Sequence, residues 1–442
     1  MKLFNSLIIL IFLCNCSFDN KTGIWKNNTD TGQKEEKSLL SEFESLTTKN
    51  NVFNKIIRLD DNFKFQLSST SNNSKWTDIF FNKSNNYENF LYNNNNNLIF
   101  KSKRVTKNKV HEYLLYKDKN VITTDVKGNI IIFSINENKI KRKFNFYNKK
   151  YKKKEKILNL IVEENIIYAS DNIGYLYAYD YFNNKVLWAK NYRIPFRSNL
   201  KISNNFLITS NQNNDLLFFN INNGNIIKTI PTEETLVKNE FINNLSLSEN
   251  FLFFLNTYGS LYSVDLEKLQ INWFLNLSQF LGSQVNNLFL SSQVVYHLGK
   301  IIVYTNQFTY VLDSSTGSII HKKNFSSYLN PLVIDDYLFL VTKNNLLISM
   351  NINTGKIMYS YNINQLIAEF LKTKEKSVNL KNIFLTNNKL FILLKNSYFL
   401  TVDLNGKLTS VRKLPTNIAS NPIIVENSLI YLDNKYRISK ID

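Results

Sequence analysis

The chain has 442 residues, 43% of them hydrophobic and 14% aromatic, which is enough apolar material to bury a large core. Its 54 Lys and Arg residues against 35 Asp and Glu give a net charge of +19, which raises the question of an anionic partner. The lysines are scattered along the whole chain, so a general composition bias explains the charge better than a nucleic-acid-binding patch. Cysteine occurs only at Cys14 and Cys16, so no intramolecular disulfide supports the chain beyond them.

The N-terminus is predicted to be an export signal. Its apolar core, Leu7–Leu13, is too short to cross a bilayer as a helix but has the length of a signal-peptide core. The segment resembles a bacterial lipoprotein signal. That resemblance implies that residues 1–15 are removed and that Cys16 becomes the lipid-modified first residue, with Cys14 as the alternative. In such lipoproteins Ser17, which is not an aspartate, implies delivery to the outer membrane.

Two polar segments follow the signal. Residues 16–51 are mixed in charge and are predicted to form a flexible tether after the lipidated cysteine. Residues 52–97 form an Asn- and Ser-rich extension, in which Trp76 and the apolar run Ile79–Phe81 indicate a strand. The five asparagines Asn93–Asn97 indicate a loop.

The rest of the chain repeats one unit of short apolar strands separated by tight turns. Successive copies begin 37 to 52 residues apart, which is the spacing of four-stranded propeller blades. The eight copies begin at Val121, Ile166, Phe206, Phe251, Ile301, Leu338, Leu390 and Leu429. Because asparagine tolerates the left-handed backbone conformation, it replaces glycine in many of the turns of a chain with only 11 glycines.

The turn motifs resemble the repeat of PQQ-like β-propellers. The segments that carry the resemblance are Asp313–Gly317, Asn351–Lys356, Asp180 with Trp188, and Asp265 with Trp273. With a lipoprotein signal in front, the chain resembles the BamB family of outer-membrane assembly lipoproteins. That resemblance implies a non-enzymatic scaffold, lipid-anchored at the periplasmic face of the outer membrane, which aids the assembly and insertion of β-barrel proteins. Its implied partner is a β-barrel assembly protein with periplasmic domains, and the chain itself would be a monomer within that larger complex.

The repeat departs from the family pattern at its tryptophan. Only Trp188 and Trp273 keep it, and the same register is taken in other blades by Arg142, Lys228, His321 and Tyr359. A repeat tryptophan packs against the next blade, so we expect a looser but still closed ring.

The last copy is incomplete. Asn421–Asp442 supplies three strands, and Leu98–Val105 precedes the first full blade at the right distance to supply the fourth. A propeller must complete its last blade to hide its sheet edges. We therefore predict an all-β, eight-bladed propeller over residues 98–442, whose last blade is closed by strands from both termini.

The sequence contains no motif for catalysis or for a cofactor. His111, His297 and His321 are the only histidines and have no metal-ligand spacing, so neither a metal site nor a catalytic triad is predicted. Repeated aspartates such as Asp180 and Asp265 stand where a strand enters its turn, which predicts a structural role. Two alternatives stay open: a PQQ-dependent dehydrogenase, and a cell-envelope module that binds anionic polysaccharide or lipid.

The long connections between blades are the predicted working surface. They are Arg193–Asn199, Pro231–Phe241, Leu277–Ser291 and Asn362–Leu380, and Gln365–Lys376 within the last has the pattern of an amphipathic helix. In the BamB family, loops in the first two regions contact the assembly protein through an arginine and acidic residues. The corresponding candidates are Arg197 and one of Glu233, Glu234 or Glu240, and the alternative is that these loops are simply solvated.

Overall fold

The computed structural model describes residues 16–18, 25–27, 52–147, 151–234, 242–278, 289 and 293–442. The chain divides into two compact units, Met1–Asn51 and Val52–Asp442. In the first unit, strands β1 (Cys16–Phe18) and β2 (Trp25–Asn27) form an antiparallel pair. The second unit begins with the short strand β3 (Asn89–Phe90) and with β4 (Leu98–Arg104).

The second unit is a ring of four-stranded antiparallel blades, and the first strand of each blade lies innermost. Blade 1 consists of β5 (Leu115–Lys117), β6 (Asn120–Thr124), β7 (Asn129–Ser134) and β8 (Lys139–Asn145), and blade 2 of β9 (Leu158–Glu163), β10 (Ile166–Asp171), β11 (Tyr175–Asp180) and β12 (Lys185–Asn191). Blade 3 consists of β13 (Lys201–Ser203), β14 (Phe206–Ser210), β15 (Leu216–Asn220) and β16 (Ile226–Ile230), and blade 4 of β17 (Asn244–Leu247), β18 (Phe251–Leu255), β19 (Ser260–Asp265) and β20 (Gln270–Asn276).

Blade 5 consists of β21 (Val295–His297), β22 (Lys300–Tyr304), β23 (Thr309–Asp313) and β24 (Ile319–Lys323). Blade 6 consists of β25 (Leu332–Ile334), β26 (Tyr337–Val341), β27 (Leu346–Asn351) and β28 (Ile357–Asn362). Blade 7 consists of β29 (Leu380–Thr386), β30 (Lys389–Leu394), β31 (Tyr398–Asp403) and β32 (Leu408–Lys413). Blade 8 contains β33 (Ile423–Val425), β34 (Ser428–Leu432) and β35 (Arg437–Ile441), with β4 as its outer strand.

The predicted closure of the ring is confirmed. β4 pairs antiparallel with β35, with Phe100 opposite Lys440 and Arg104 opposite Arg437. The Ser102 hydroxyl accepts a 2.9 Å hydrogen bond from the backbone N–H of Ile438, across 336 positions of sequence. Both ends of the propeller sequence are therefore held in one sheet, and the predicted eight-bladed architecture is confirmed.

The blade register is also confirmed. In every blade from 1 to 7 a β-bulge interrupts the pairing of the third and fourth strands. The six residues placed in one register by the sequence all come directly after the bulged residue of the fourth strand, namely Arg142, Trp188, Lys228, Trp273, His321 and Tyr359.

The predicted turn chemistry is present as well. Asn138 and Asn184 have φ of 49° and 55°, the left-handed conformation that a glycine would otherwise supply. The Asp180 carboxylate accepts hydrogen bonds from the backbone N–H groups of Phe182 and Asn183, at 3.0 and 2.9 Å. Asp265 accepts from the two corresponding N–H groups of its own turn. The structural role predicted for these carboxylates is therefore confirmed.

A single α-helix among the described residues lies after blade 6. This helix, α1 (Ile363–Leu371), begins two residues before the predicted segment and ends at Leu371, because Lys372 adopts a left-handed conformation with φ of 53°. The Asn362 side chain caps it by accepting a 2.9 Å hydrogen bond from the N–H of Asn364. Within the described part of the chain, no helix is both long and apolar enough to span a bilayer.

Candidate functional site

The axis of the propeller is occupied by the chain's own residues 71–92, which we call the channel segment. Trp76 exchanges two 2.7 Å backbone hydrogen bonds with Tyr116 on the inner strand of blade 1. The Thr77 carbonyl accepts a 2.8 Å bond from the N–H of Val162 in blade 2. β3, within the channel segment, pairs in parallel with β29, the inner strand of blade 7. The segment thus extends the inner sheets of the ring.

Asparagine side chains fasten the channel segment to most of the remaining blades. The amide of Asn85 donates to the carbonyls of Leu245 and Val294, both at 2.8 Å. The amide of Asn86 donates at 2.8 Å to the Val333 carbonyl of blade 6. The amide of Asn73 donates at 2.9 Å to the Ile424 carbonyl of blade 8. These donors satisfy inner-strand carbonyls that would otherwise be buried without a partner.

Blade 3 contacts the channel segment through a buried ion pair. The Lys201 Nζ lies 2.6 Å from the Asp78 carboxylate, and the exposed fractions of the two side chains are 0% and 5%. The same ammonium group donates to the Asn82 carbonyl at 2.8 Å and to the Asn85 side chain at 2.6 Å. Burial lowers the pKa of Lys201, and the neighbouring Asp78 opposes that shift. A buried charge of this kind depends on its partner to stay in the core.

The channel segment also carries large buried aromatic residues. Trp76, Phe90 and Tyr92 are at most 1% exposed, and the Tyr87 ring stacks on Phe384 of blade 7 with a centroid distance of 5.1 Å. The sequence predicts this stretch only as part of an Asn- and Ser-rich extension. The signal that could have located it is the cluster of aromatic residues within an otherwise polar segment.

The predicted partner-binding residues fall in different environments. Arg197 is half-buried, and its backbone is fixed by a 2.9 Å hydrogen bond to the Ser210 carbonyl and a 2.8 Å bond from the N–H of Asn243. Glu234 is exposed. Glu240 lies outside the described residues, and lipidation at Cys16 also stays a prediction.

Glu233 is bound by its own propeller. Its carboxylate accepts hydrogen bonds from Ser260 at 3.0 Å and Asn256 at 3.2 Å, and from the Tyr262 hydroxyl. Burial alone would raise the pKa of the Glu233 carboxyl, but these hydrogen bonds outweigh it and hold the pKa below its usual value. Glu233 therefore ties the loop after blade 3 to blade 4.

The three histidines are separate from one another and hydrogen-bonded. His111 contacts the Thr124 hydroxyl at 2.8 Å, His297 contacts the Asp335 carbonyl at 2.9 Å, and His321 contacts the Asn353 carbonyl at 3.0 Å. Among the described residues, no three His, Cys, Asp or Glu side chains are grouped closely enough to hold a metal ion.

The fold and its axis define an eight-bladed β-propeller in which the channel is filled by the chain itself. The family model described as outer membrane protein assembly factor BamB matches residues 154–361, which span blades 2 to 6. Just under half of the chain therefore matches the PQQ-like β-propeller family of that model. A search of curated protein sequences gave no significant match.

Solved structures share the fold. BamB from Moraxella catarrhalis is 12% identical with a TM-score of 0.60, over 78% of this chain and 99% of that one. A europium-containing methanol dehydrogenase is also 12% identical with a TM-score of 0.59, over 82% of this chain and 88% of that one. The computationally designed Ika8 protein is 11% identical with a TM-score of 0.58, over 78% and 99% of the two chains. At such identities these structures show the fold alone.

Proposed function

We propose that the chain is a non-enzymatic scaffold that aids the assembly of β-barrel proteins in the outer membrane. The observation that carries the proposal is the match of blades 2 to 6 to the family model of an outer membrane protein assembly factor. The fold shared with BamB of Moraxella catarrhalis agrees with it. The partner would be a barrel assembly protein with periplasmic domains, within whose complex this chain is one component.

The loop after blade 2 is the proposed contact. Phe196 is 2% exposed and anchors the loop in the core, while both backbone polar groups of Arg197 are hydrogen-bonded to blades 3 and 4. A loop fixed at both sides presents its side chains at low entropic cost, which favours specific binding. Exposed Glu234, on the next connection, offers a negative charge on the adjacent blade.

Lipidation of Cys16 would place this scaffold at the periplasmic face of the outer membrane. Acyl chains contribute about 0.8 kcal/mol for each buried CH₂ group, so a multiply acylated cysteine holds a protein at a membrane. A Cys16→Ser variant should appear in the soluble periplasmic fraction. Persistent attachment of that variant to membranes would contradict the anchor.

Affinity purification of the lipidated full chain from detergent-solubilised membranes tests the partner. We expect co-recovery of an outer-membrane barrel protein that has periplasmic domains. Arg197→Ala should reduce that recovery, whereas Arg193→Ala, an exposed arginine on the same loop, should leave it unchanged. Equal recovery with both variants would contradict the contact, and absence of any barrel protein would contradict the scaffold.

The methanol dehydrogenase neighbour raises the alternative of a quinone enzyme, and the residues at the axis do not fit that cofactor. A quinone that carries several carboxylates needs several cations around it, but Lys201 is already paired with Asp78, and Lys381 is the one cation among the described residues that line the cavity at the axis. The buried side chains of Trp76, Tyr87 and Phe90 of the channel segment take up much of the volume at the axis. We therefore propose no quinone-dependent step.

A further inference from the structure

A chamber of about 210 Å³ opens at one end of the propeller axis. Its wall comes from the points where the inner strands of blades 1, 5, 6, 7 and 8 begin, and the channel segment contributes Trp76 and Tyr87. We call it the axial chamber and define it by Trp76, Glu112, Tyr113, Lys381, Asn382 and Asn421. Its volume is below that of pockets for drug-sized ligands, so it suits a molecule of amino-acid size.

Opposite charges face this chamber from different blades. Lys381 of blade 7 is half-buried, and its Nζ donates a 3.2 Å hydrogen bond to the Ala419 carbonyl, which uses one of its three N–H donors. Burial lowers the pKa of Lys381, and the Glu112 carboxylate of blade 1 partly offsets this. A bound anion would compensate the lost hydration of the ammonium group, and a bound cation would pair with Glu112.

Trp76 adds a donor without an acceptor. Its side chain is 1% exposed and lines the chamber, and among the described residues no acceptor lies within hydrogen-bond distance of its indole N–H. Buried tryptophans usually find such a partner, because an unpaired buried donor is costly. Side-chain amides of Asn382 and Asn421 supply further neutral hydrogen-bonding groups on the wall.

We propose that the axial chamber binds a small zwitterion, whose carboxylate pairs with Lys381 and whose ammonium group pairs with Glu112. A free amino acid and a short peptide share this chemistry. The proposal does not depend on the scaffold function, since it rests only on groups at the axis.

Calorimetric titration of the purified full chain tests the proposal with four probes. L-Alanine represents the free amino acid and alanyl-alanine the short peptide, while propionate lacks the ammonium group and ethylamine lacks the carboxylate. We expect saturable binding of at least one zwitterion and at least about tenfold weaker binding of both single-charge probes. Binding of alanine identifies the amino acid as a source, and binding of alanyl-alanine alone identifies the peptide.

Lys381→Met and Glu112→Gln should each weaken zwitterion binding by about tenfold or more. Lys389→Met is the matched control, since Lys389 lies on blade 7 but pairs with Asp403 at 3.5 Å on the exterior. Thermal unfolding of each variant shows that it is folded. The proposal is overturned if no zwitterion binds at up to about 10 mM, ten times the Kd of a weak ligand. Propionate binding as tightly as alanine, or unchanged binding by folded Lys381→Met, would overturn it equally.

Discussion

The indole of Trp188 covers Gly224 of the next blade so closely that a methyl group on Gly224 would stand 2.6 Å from two ring carbons. The Trp188 N–H also donates at 2.9 Å to the Ile221 carbonyl of that blade. Trp273 covers Gly317 in the same way, and the His321 ring takes the equivalent place at Gly355. The ring of blades is thus joined by a repeated contact between a planar side chain and a glycine.

Gly224→Ala should destabilise the propeller by about 1–3 kcal/mol, because the new methyl group overlaps the Trp188 ring. Trp188→Ala should cost about 3 kcal/mol through lost packing. In the Trp188→Ala background the clash is gone, so adding Gly224→Ala should cost less than it does alone.

Gly299→Ala is the control for backbone strain in this cycle. Gly299 has φ of 78°, close to the 69° of Gly224, but a methyl group there meets no atom within 4 Å. Chemical denaturation measures all four variants. Equal costs for Gly224→Ala and Gly299→Ala would show that the Trp188 contact is unimportant.

Removing one partner of the buried ion pair between Lys201 and Asp78 should strongly destabilise the folded propeller. Lys201→Met leaves the Asp78 carboxylate without its cation in the core, at a cost of about 3–5 kcal/mol. The double variant Lys201→Met with Asp78→Asn should recover part of that loss. The exposed pair of Lys389 and Asp403 provides the control, and Lys389→Met should cost less than about 1 kcal/mol. Similar losses from both lysine substitutions would contradict a structural role for the axial pair.

Deleting Tyr436–Asp442 should unfold the ring at a lower temperature, since it removes β35 and leaves β4 without a partner. Lys435→Ala, in the exposed turn before the deletion, should leave the melting temperature nearly unchanged. Thermal unfolding measures both. An unchanged melting temperature after the deletion would mean that the last blade does not close the propeller.

The stabilising effect of Glu233 should depend on pH. Because the folded state holds the pKa of this carboxyl below its usual value, its contribution is full above the unfolded pKa of about 4.3 and is lost as pH falls through the folded pKa. The melting temperature of Glu233→Gln should therefore fall below that of the native chain at about pH 6, and the difference should shrink as the pH falls below about 4.3. A difference that grows on acidification would contradict this sign.

The blades could be predicted from the sequence because each is a local repeat. The spacing of the turns, the asparagines in left-handed positions and the register of Trp188 all recur within 37 to 52 residues. The closure by β4 followed from counting strands, since an unpaired edge had to be covered.

The channel segment could not be placed in this way. Its contacts join Asn73 to Ile424 and Asn85 to Leu245, which are far apart in sequence, and it uses asparagine side chains in place of a strand pattern. The axial chamber could not be predicted for the same reason, because Glu112 and Lys381 line one cavity only when blades 1 and 7 lie around one axis. The charge and composition of the chain do not indicate which residues, far apart in sequence, become neighbours in the fold.

The amount of folded β-barrel protein in the outer membrane, compared between cells with and without this chain, tests the proposed function most directly. A scaffold for assembly predicts that loss of the chain lowers the folded fraction of the barrels and that the native sequence restores it. Arg197→Ala should restore it less well than Arg193→Ala. An unchanged folded fraction in cells without the chain would contradict the proposed function.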